Sequence, residues 1–346
     1  MSKITINDVA DHAGVSFKTV SRIINNEPGV RQSTREKVLK SIKALNYHPS
    51  LSARSLAGKR AYIIGLIYDN PNAYYIMSVQ NGVLAECEAR GYSLLIHPCD
   101  FSSGEVFDNL IKFVERSRLS GLVLTPPVSE DVSIHKKLKE LKIQAVSIVS
   151  ASTEPADLAP SIYVMDKEAA FDVTMHLLDL GHKRISFICG NTEHRSTPER
   201  LQGFKDAHRE FGVEVIPELI IQGEYSFESG TEVGERLLTM NEYNRPTAIF
   251  ASNDEIAAGV LFVARKLGIS VPRELSIAGF EDSPFSRQTW PRLTTAQQPL
   301  EQIAKQASII LIDHIRIATG LEEAEEHNKG FKPELVIRES TGPAPS

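Results

Sequence analysis

The sequence predicts an N-terminal all-α head with a helix-turn-helix, joined to an α/β body of two doubly wound parallel-sheet lobes. Three observations carry that reading. As far as residue 48, short capped helices follow one another with a glycine break between the first two. Beyond Ala61, apolar runs alternate with amphipathic stretches in two successive series. Between these regions the charge changes sign: residues 1–60 carry 11 Lys/Arg against four acids, +7, leaving −13 on the rest of a chain whose total is −6. A basic head on an acidic body points to an anionic partner for the head alone. A solvated lysine-rich surface would show the same balance, so charge by itself does not decide.

In the head, Thr5 and Asp8 form a capping-box pattern that opens "INDVADHA", and Gly14 ends it. Ser16 is placed to cap a second helix running to about Ile24, with a core stripe through Val15, Thr19, Val20, Ile23 and Ile24. That stripe leaves Phe17 beside Lys18 on the charged side. Ser33 and Glu36 suggest a second capping box, which would start a helix carrying Val38, Ile42 and Leu45 on one face; Pro49 stops it. Two helices about a glycine turn, braced by a third, make a helix-turn-helix. Residues 49–60, "PSLSARSLAGKR", are too weakly apolar to pack as a core helix and read as a linker helix that forms only with a partner.

The body, 61–340, contains the runs "YIIGLIYD", "SLLIHPCD", "GLVLTPP" and "AVSIV", then "RISFICG", "LIIQGEY", "TAIFASND" and "LSIAGFED". Two lobes are expected, 61–161 with 293–325 and 162–292 with 326–340, followed by a flexible tail, 341–346. Ligands of such sheets sit outside the carboxyl ends of the strands. The informative residues are therefore Asp69, Asn70, Tyr74, Tyr75, Arg200, Tyr225, Asn253, Glu281 and Asp282. Carboxylates, Asn and Arg suit fixed hydroxyls, and aromatics suit an apolar ring face. Each has a plainer reading: Asn253 as a helix cap, Arg200 as an ion-pair partner of Glu281 or Asp282, Tyr225 as core, Tyr74 and Tyr75 as dimer surface.

Composition excludes several classes. No apolar run reaches the ~18 residues of a membrane span, and "MSKITINDVADHAG" has no apolar stretch typical of a secretory signal. Cys87, Cys99 and Cys189 have no metal or redox spacing, so neither a metal nor a cofactor is expected. No His-Glu-x-x-His, Walker loop or Gly-x-Ser-x-Gly elbow singles out an enzyme.

The stretches "ITINDVADHAGVSFKTVSRIINN" and "NYHPSLSARSLAGKR", followed in order by "LGHKRISFICG", "RLQGF", "AIFASND", "LSIAGFEDSP", "LTTAQQP" and "ELVIREST", resemble the lactose/galactose repressor family of bacterial transcription factors. The resemblance extends over essentially the whole chain. It implies a cytoplasmic homodimer with a periplasmic-binding-protein-like body, repressing sugar-utilisation genes from a palindromic operator on double-stranded DNA. A mono- or disaccharide effector would control it.

The resemblance also places the second helix in the major groove. Lys18 and Arg22 would then face guanines, and Phe17 a thymine methyl or sugar carbons. Thr5, Ser16, Ser21, Asn25 and Thr34 would hold phosphates, with Thr19 and Tyr47 also in the DNA-binding set. Leu56, beside Ala53, would enter the minor groove at the dimer axis. Arg200, Asn253 and Glu281 match the family's effector positions. Two departures from the pattern stand out: Glu281 replaces the first of an aspartate pair, and after "AVSIV", where an aspartate often reaches the effector, the chain reads Ser150-Ala151-Ser152. A purine or nucleotide co-repressor is the competing effector class, disfavoured by the carboxylates Asp69, Glu281 and Asp282. No leucine heptad follows "ELVIREST", so a dimer is expected, not a tetramer.

Overall fold

The computed structural model describes residues 4–24, 29–47, 62–70, 72–101, 103–150, 160–318 and 329–345. The chain divides into two compact units, one ending at Tyr62 and one beginning at Ile63.

The first unit holds α1 (Ile6–Ala13), α2 (Phe17–Ile24) and α3 (Gln32–Ala44). The Thr5–Asp8 capping box forms: the Asp8 carboxylate accepts from Thr5 N at 2.7 Å, and the Thr5 hydroxyl accepts from Asp8 N at 3.4 Å. Gly14 ends α1 at φ 60°, a left-handed conformation that glycine adopts at no steric cost. Ser16 Oγ accepts from Thr19 N at 3.2 Å and so begins α2 as expected. The Ser33–Glu36 box does not form. Helix α3 begins two residues earlier, with Arg31 at its N-cap, so Ser33 lies inside the first turn; Glu36 instead accepts from Gln32 Nε2 at 3.1 Å. Val9, Ala13, Val20, Ile23 and Val38 form the buried centre, with Val15, Ile24, Ile42 and Leu45 packed around it.

The second unit contains two six-stranded sheets. The first comprises β1 (Ile63–Tyr68), β2 (Ser93–Pro98), β3 (Gly121–Leu124), β4 (Gln144–Ser150), β5 (Ser161–Val164) and β11 (Lys329–Phe331), ordered β11-β5-β4-β3-β1-β2. The second comprises β6 (Ile185–Ile188), β7 (Ile220–Ile221), β8 (Ala248–Ala251), β9 (Ser276–Glu281), β10 (Thr294–Gln297) and β12 (Glu334–Val336), ordered β12-β10-β9-β8-β6-β7. All pairings are parallel except that of β10 with β12. Fully buried strands such as β3, "GLVL", and β8, "AIFA", show the continuous apolar character of a sheet covered on both faces.

Helices complete the two layers. In chain order they are α4 (Ala73–Arg90), α5 (Val106–Ser117), α6 (Val132–Glu140), α7 (Asp166–Asp179), α8 (Ser196–Phe211), α9 (Phe227–Leu238), α10 (Asp254–Lys266), α11 (Pro284–Gln288) and α12 (Leu300–Ile317). Helix α12 returns to the first sheet and packs along α4, where a Cβ on Gly82 would run into the Glu301 carbonyl. Val79, Val83, Ile303, Ile310 and Leu311 cover Ile64, Leu66 and Val146 there, each such burial stabilising by roughly 1.5–3 kcal/mol.

The lobe boundaries differ from those expected. β5 and β11 pair within the first sheet, and β10 within the second. The first lobe therefore runs through Val164, and Thr294–Gln297 belong to the second. The tail also differs: it is held. Gly342 N donates to Ser276 Oγ at 3.0 Å, His182 Nε2 lies 3.0 Å from Gly342 O, and Ala344 N donates to Leu180 O at 2.8 Å. A Gly/Pro-rich composition suggested fraying, but these backbone groups fill the gap between the end of α7 and the start of β9.

Candidate functional site

The head presents one face of α2. Phe17 is 47% exposed, Lys18 and Arg22 are exposed, and Ser21 is half-buried, while Val20 and Ile23 on the opposite side are buried. Thr5 and Ser16 are exposed at the starts of α1 and α2; Thr19 and Thr34 are half-buried. Ser16 Oγ and Thr19 Oγ1 lie 2.9 Å apart. Tyr47 differs from its expectation: it is 8% exposed and belongs to the head's core. Asn25, Ala53 and Leu56, with the linker 49–60, lie outside the described residues.

In the body, the carboxyl ends of the two sheets are joined by polar side chains. Asn72 caps α4, accepting from Tyr74 N at 3.0 Å and Tyr75 N at 3.2 Å, and its Nδ2 reaches across to Glu281 Oε2 at 3.0 Å. Glu281 and Asp282 have φ of 105° and 57°. Non-glycine residues occupy that region at a cost of ~1–3 kcal/mol, a strain that clusters at functional sites. Burial pushes the Glu281 carboxyl up to about 8, against the pull of Arg200.

Arg200, on α8, is itself buried. Its Nε donates to Asp166 Oδ1 at 2.7 Å, Nη1 donates to the Ser252 carbonyl, and Cζ stands 3.8 Å over the Phe280 ring. Its ion-pair partner is Asp166, neither Glu281 nor Asp282. Ser150 donates its hydroxyl to the other Asp166 oxygen at 2.6 Å. Ser150 thus holds the aspartate that holds Arg200.

The aromatic positions split. Tyr74 meets Phe285 edge-on at 5.8 Å between centroids. The Tyr225 hydroxyl lies 2.9 Å from Thr197 Oγ1 and 3.2 Å from Ser196 Oγ. The Tyr225 ring occupies space that a Cβ on Gly190 would take, and His194 is edge-on to it. Tyr75 packs against the first lobe's core, and burial raises its pKa.

Other expected residues also accept from backbone N–H groups of the protein itself. Asp69 accepts from Phe101 N at 2.7 Å, and Asn70 Oδ1 accepts from Asn72 N at 2.8 Å. Asn253 caps α10, accepting from Ile256 N at 2.9 Å, while its buried Nδ2 has no partner among the described residues. Asp282 is not brought to the site. It accepts from Arg338, Gln297 and Ser286 at 2.7, 2.8 and 2.6 Å, knitting β9, β10 and the C-terminal segment together.

Sequence reasoning missed Asn72, Glu130, Ser150 as a linker, Asp166 and Phe285. Asp166 had a usable signal, since it follows the strand "SIYV", but a four-residue run is easily passed over. The cleft offers hydroxyls, amides, a carboxyl and aromatic edges, with its strongest charges already paired. Such a set binds polar neutral molecules. Among the described residues, no group of three or more His, Cys, Asp or Glu is arranged to hold a metal, and no helix is long and apolar enough to cross a membrane.

Comparison with known proteins agrees with this architecture. Residues 5–50 match the model for bacterial regulatory proteins of the lacI family, and 174–341 that for a periplasmic binding protein-like domain. The chain is 33% identical to catabolite control protein A of Priestia megaterium, over 91% of this chain and 94% of that one. It is 32% identical to the HTH-type transcriptional regulator DegA of Bacillus subtilis, over 99% of both. Among solved structures, a lac repressor dimer bound to operator and the anti-inducer ONPF superposes with a TM-score of 0.76 at 26% identity, covering 99% of this chain and 100% of that one. A CelR–cellobiose complex gives 0.72 at 26% identity, covering 98% and 100%. The chain therefore belongs to the lacI family of bacterial regulatory proteins: it is a DNA-binding transcriptional regulator with an effector-binding body, and not an enzyme.

Proposed function

We propose that this regulator is a cytoplasmic repressor of sugar-utilisation genes, binding a palindromic operator as a homodimer and controlled by a mono- or disaccharide. The observation that carries the reading is the Asn72–Glu281 bridge across the cleft, with Tyr74 and Tyr225 beside it and Arg200 neutralised by Asp166. Amide and carboxyl groups that meet across a gap can exchange their mutual bond for bonds to ligand hydroxyls. A phosphorylated ligand would find Glu281 and no unpaired cation in that set. Cellobiose bound to the similar CelR supports a saccharide class without naming this chain's effector.

The effector set is Asp69, Asn70, Tyr74, Tyr75, Arg200, Tyr225, Asn253 and Glu281, with Asn72 added. On DNA, Lys18 and Arg22 read bases, Phe17 contacts a thymine methyl, and Leu56 enters the minor groove. A thermal-shift screen with glucose, galactose, ribose, cellobiose, N-acetylglucosamine, guanine and hypoxanthine tests the effector class. A saccharide is expected to raise the melting temperature; a rise with the purines alone overturns the reading. Leu56→Ala is expected to weaken operator binding while leaving saccharide binding intact. Sedimentation is expected to show a dimer, and a stable tetramer would refute it.

A further inference from the structure

Glu130 is half-buried at the junction of the lobes and belongs to none of the residues assigned to the effector. It lies in the short turn of 3-10 helix, Val128–Glu130, that follows β3. One carboxylate oxygen accepts from Ser150 N at 3.1 Å, within its own lobe. The other accepts from Arg195 N at 3.2 Å, in the second lobe, immediately before α8. Helix α8 carries Ser196, Thr197 and Arg200, and Ser150 donates to Asp166, which holds Arg200. The contacts close a ring: Glu130, Ser150, Asp166, Arg200, and back along α8 to Arg195. Two stations come from the first lobe and three from the second.

We infer that Glu130 is a positioning residue of the effector site, a latch between the lobes that fixes the start of α8 and thereby the placement of Arg200. The carboxyl lies 20 residues before the end of β4 in sequence, yet it meets the Ser150 N–H there. Each oxygen takes a backbone N–H from a different lobe, so opening the cleft must break one bond to the carboxyl. Such a bond is stronger when the carboxyl is ionised than when it is neutral. Burial pushes the group up to about 7, with the Ser150 and Arg195 N–H groups and the Arg195 charge opposing and Asp166 adding to the rise. Tyr75, on α4, also feels it. Glu130 is thus held in its place at an electrostatic cost, as a group with a positional task would be.

The inference rests on the cleft being the effector site, and the test separates the two. In the ligand-free full-length protein, Glu130→Ala is expected to lower hydrogen-exchange protection of the Ser150 and Arg195 amides about tenfold or more, leaving amides of α12 unchanged. Glu130→Gln, whose single amide oxygen can accept from only one of the two N–H groups, is expected to recover protection at one of these amides and not at both. With whichever saccharide of the screen raises the melting temperature most, E130A is expected to bind about tenfold more weakly, and E130Q to fall between E130A and wild type. Unchanged protection at both amides in E130A overturns the latch, and so does loss of protection throughout the body. Unchanged saccharide affinity despite lost protection overturns its role in positioning. If no saccharide binds, the proposed effector class fails, while the amide readout still decides whether Glu130 joins the lobes.

Discussion

The exposed face of α2 proposed to read DNA and the cleft of the body are both polar surfaces with an aromatic side chain among charges, but they are built in opposite ways. On α2 the residues are near neighbours in the chain, exposed, and backed by a small core of Val20 and Ile23. In the cleft they come from elements far apart in sequence, such as Asn72 and Glu281, and their charges are largely neutralised before any ligand arrives. A surface that meets phosphates gains from leaving cations exposed. A pocket that meets hydroxyls has to avoid a buried unpaired charge. Substitutions should therefore separate the two: changes in the cleft act on folding, and changes on α2 act on binding alone.

The largest effect is expected from Arg200→Ala. Arg200 is 4% and Asp166 1% exposed, and removing the guanidinium leaves a buried carboxylate with only the Ser150 hydroxyl. Breaking one side of such a pair costs about 3–5 kcal/mol. Urea unfolding followed by circular dichroism should show that loss in the body's transition, with partial recovery when Asp166→Asn is added. A loss below about 1 kcal/mol would show the pair to be solvated, and the contrast with α2 would fail.

Next comes Arg22→Ala. The body should unfold as in wild type, while operator affinity drops by about 1–3 kcal/mol if Arg22 reads a guanine. An equal drop on unrelated DNA, together with a shallower salt dependence, would make it a phosphate contact instead.

The same difference in construction explains what could be read from the chain. Helices α1 and α2 were legible to the residue, because capping by Thr5 and Ser16 and termination by Gly14 are local chemistry. The alternation of strands and helices revealed both sheets, but not the sheet to which β5, β10 and β11 belong, since strand pairing is settled by the chain's passage between lobes. Arg200 and Glu281 were found from their places after strand and loop. Their partners Asp166 and Asn72 were not, because a hydrogen bond across 209 positions, such as Asn72–Glu281, leaves no local pattern. Asp282, although adjacent to Glu281, turns out to be structural: the two positive φ values direct neighbouring side chains to different tasks. The tail failed for a related reason, its anchors on His182 and Leu180 being distant in sequence.

Acidity separates the regions by sign. Burial raises Glu281 to about 8 and Glu130 and Asp254 to about 7, so the folded body holds protons that the unfolded chain releases. Their contribution to stability is therefore greatest at low pH and falls as pH rises from the ordinary carboxylate range to about 8. Asp8 behaves oppositely: its bonds to Thr5 lower its pKa, so its contribution is present above the ordinary value and lost only on stronger acidification. In the body, His97, His176, His182, His194 and His208 oppose the buried carboxyls at lower pH, because burial lowers their pKa and the unfolded chain then binds more protons there. Taking the protein from about pH 8.5 to about pH 7, above the ordinary histidine range, should raise the body's melting temperature and leave the head's unchanged, with Glu281→Gln flattening the body's response. A head that followed the body would mean that the two units unfold together.

The smallest expected change in stability is the sharpest test of the α2 surface. Phe17 is 47% exposed and absent from the head's core, which is formed by Val9, Ala10, Ala13, Val20, Ile23, Val38 and Tyr47. Truncating a half-exposed residue outside the core shifts stability by no more than about 0.5 kcal/mol. A core phenylalanine would cost about 3–5 kcal/mol when cut to alanine. Phe17→Ala should therefore leave the head's melting unchanged while altering affinity across a library of operator sequences at one symmetric pair of positions. A loss of head stability comparable to that of a core truncation would return Phe17 to the interior. Unaltered preference across the library, with stability intact, would remove it from the bases and leave Lys18 and Arg22 to read them.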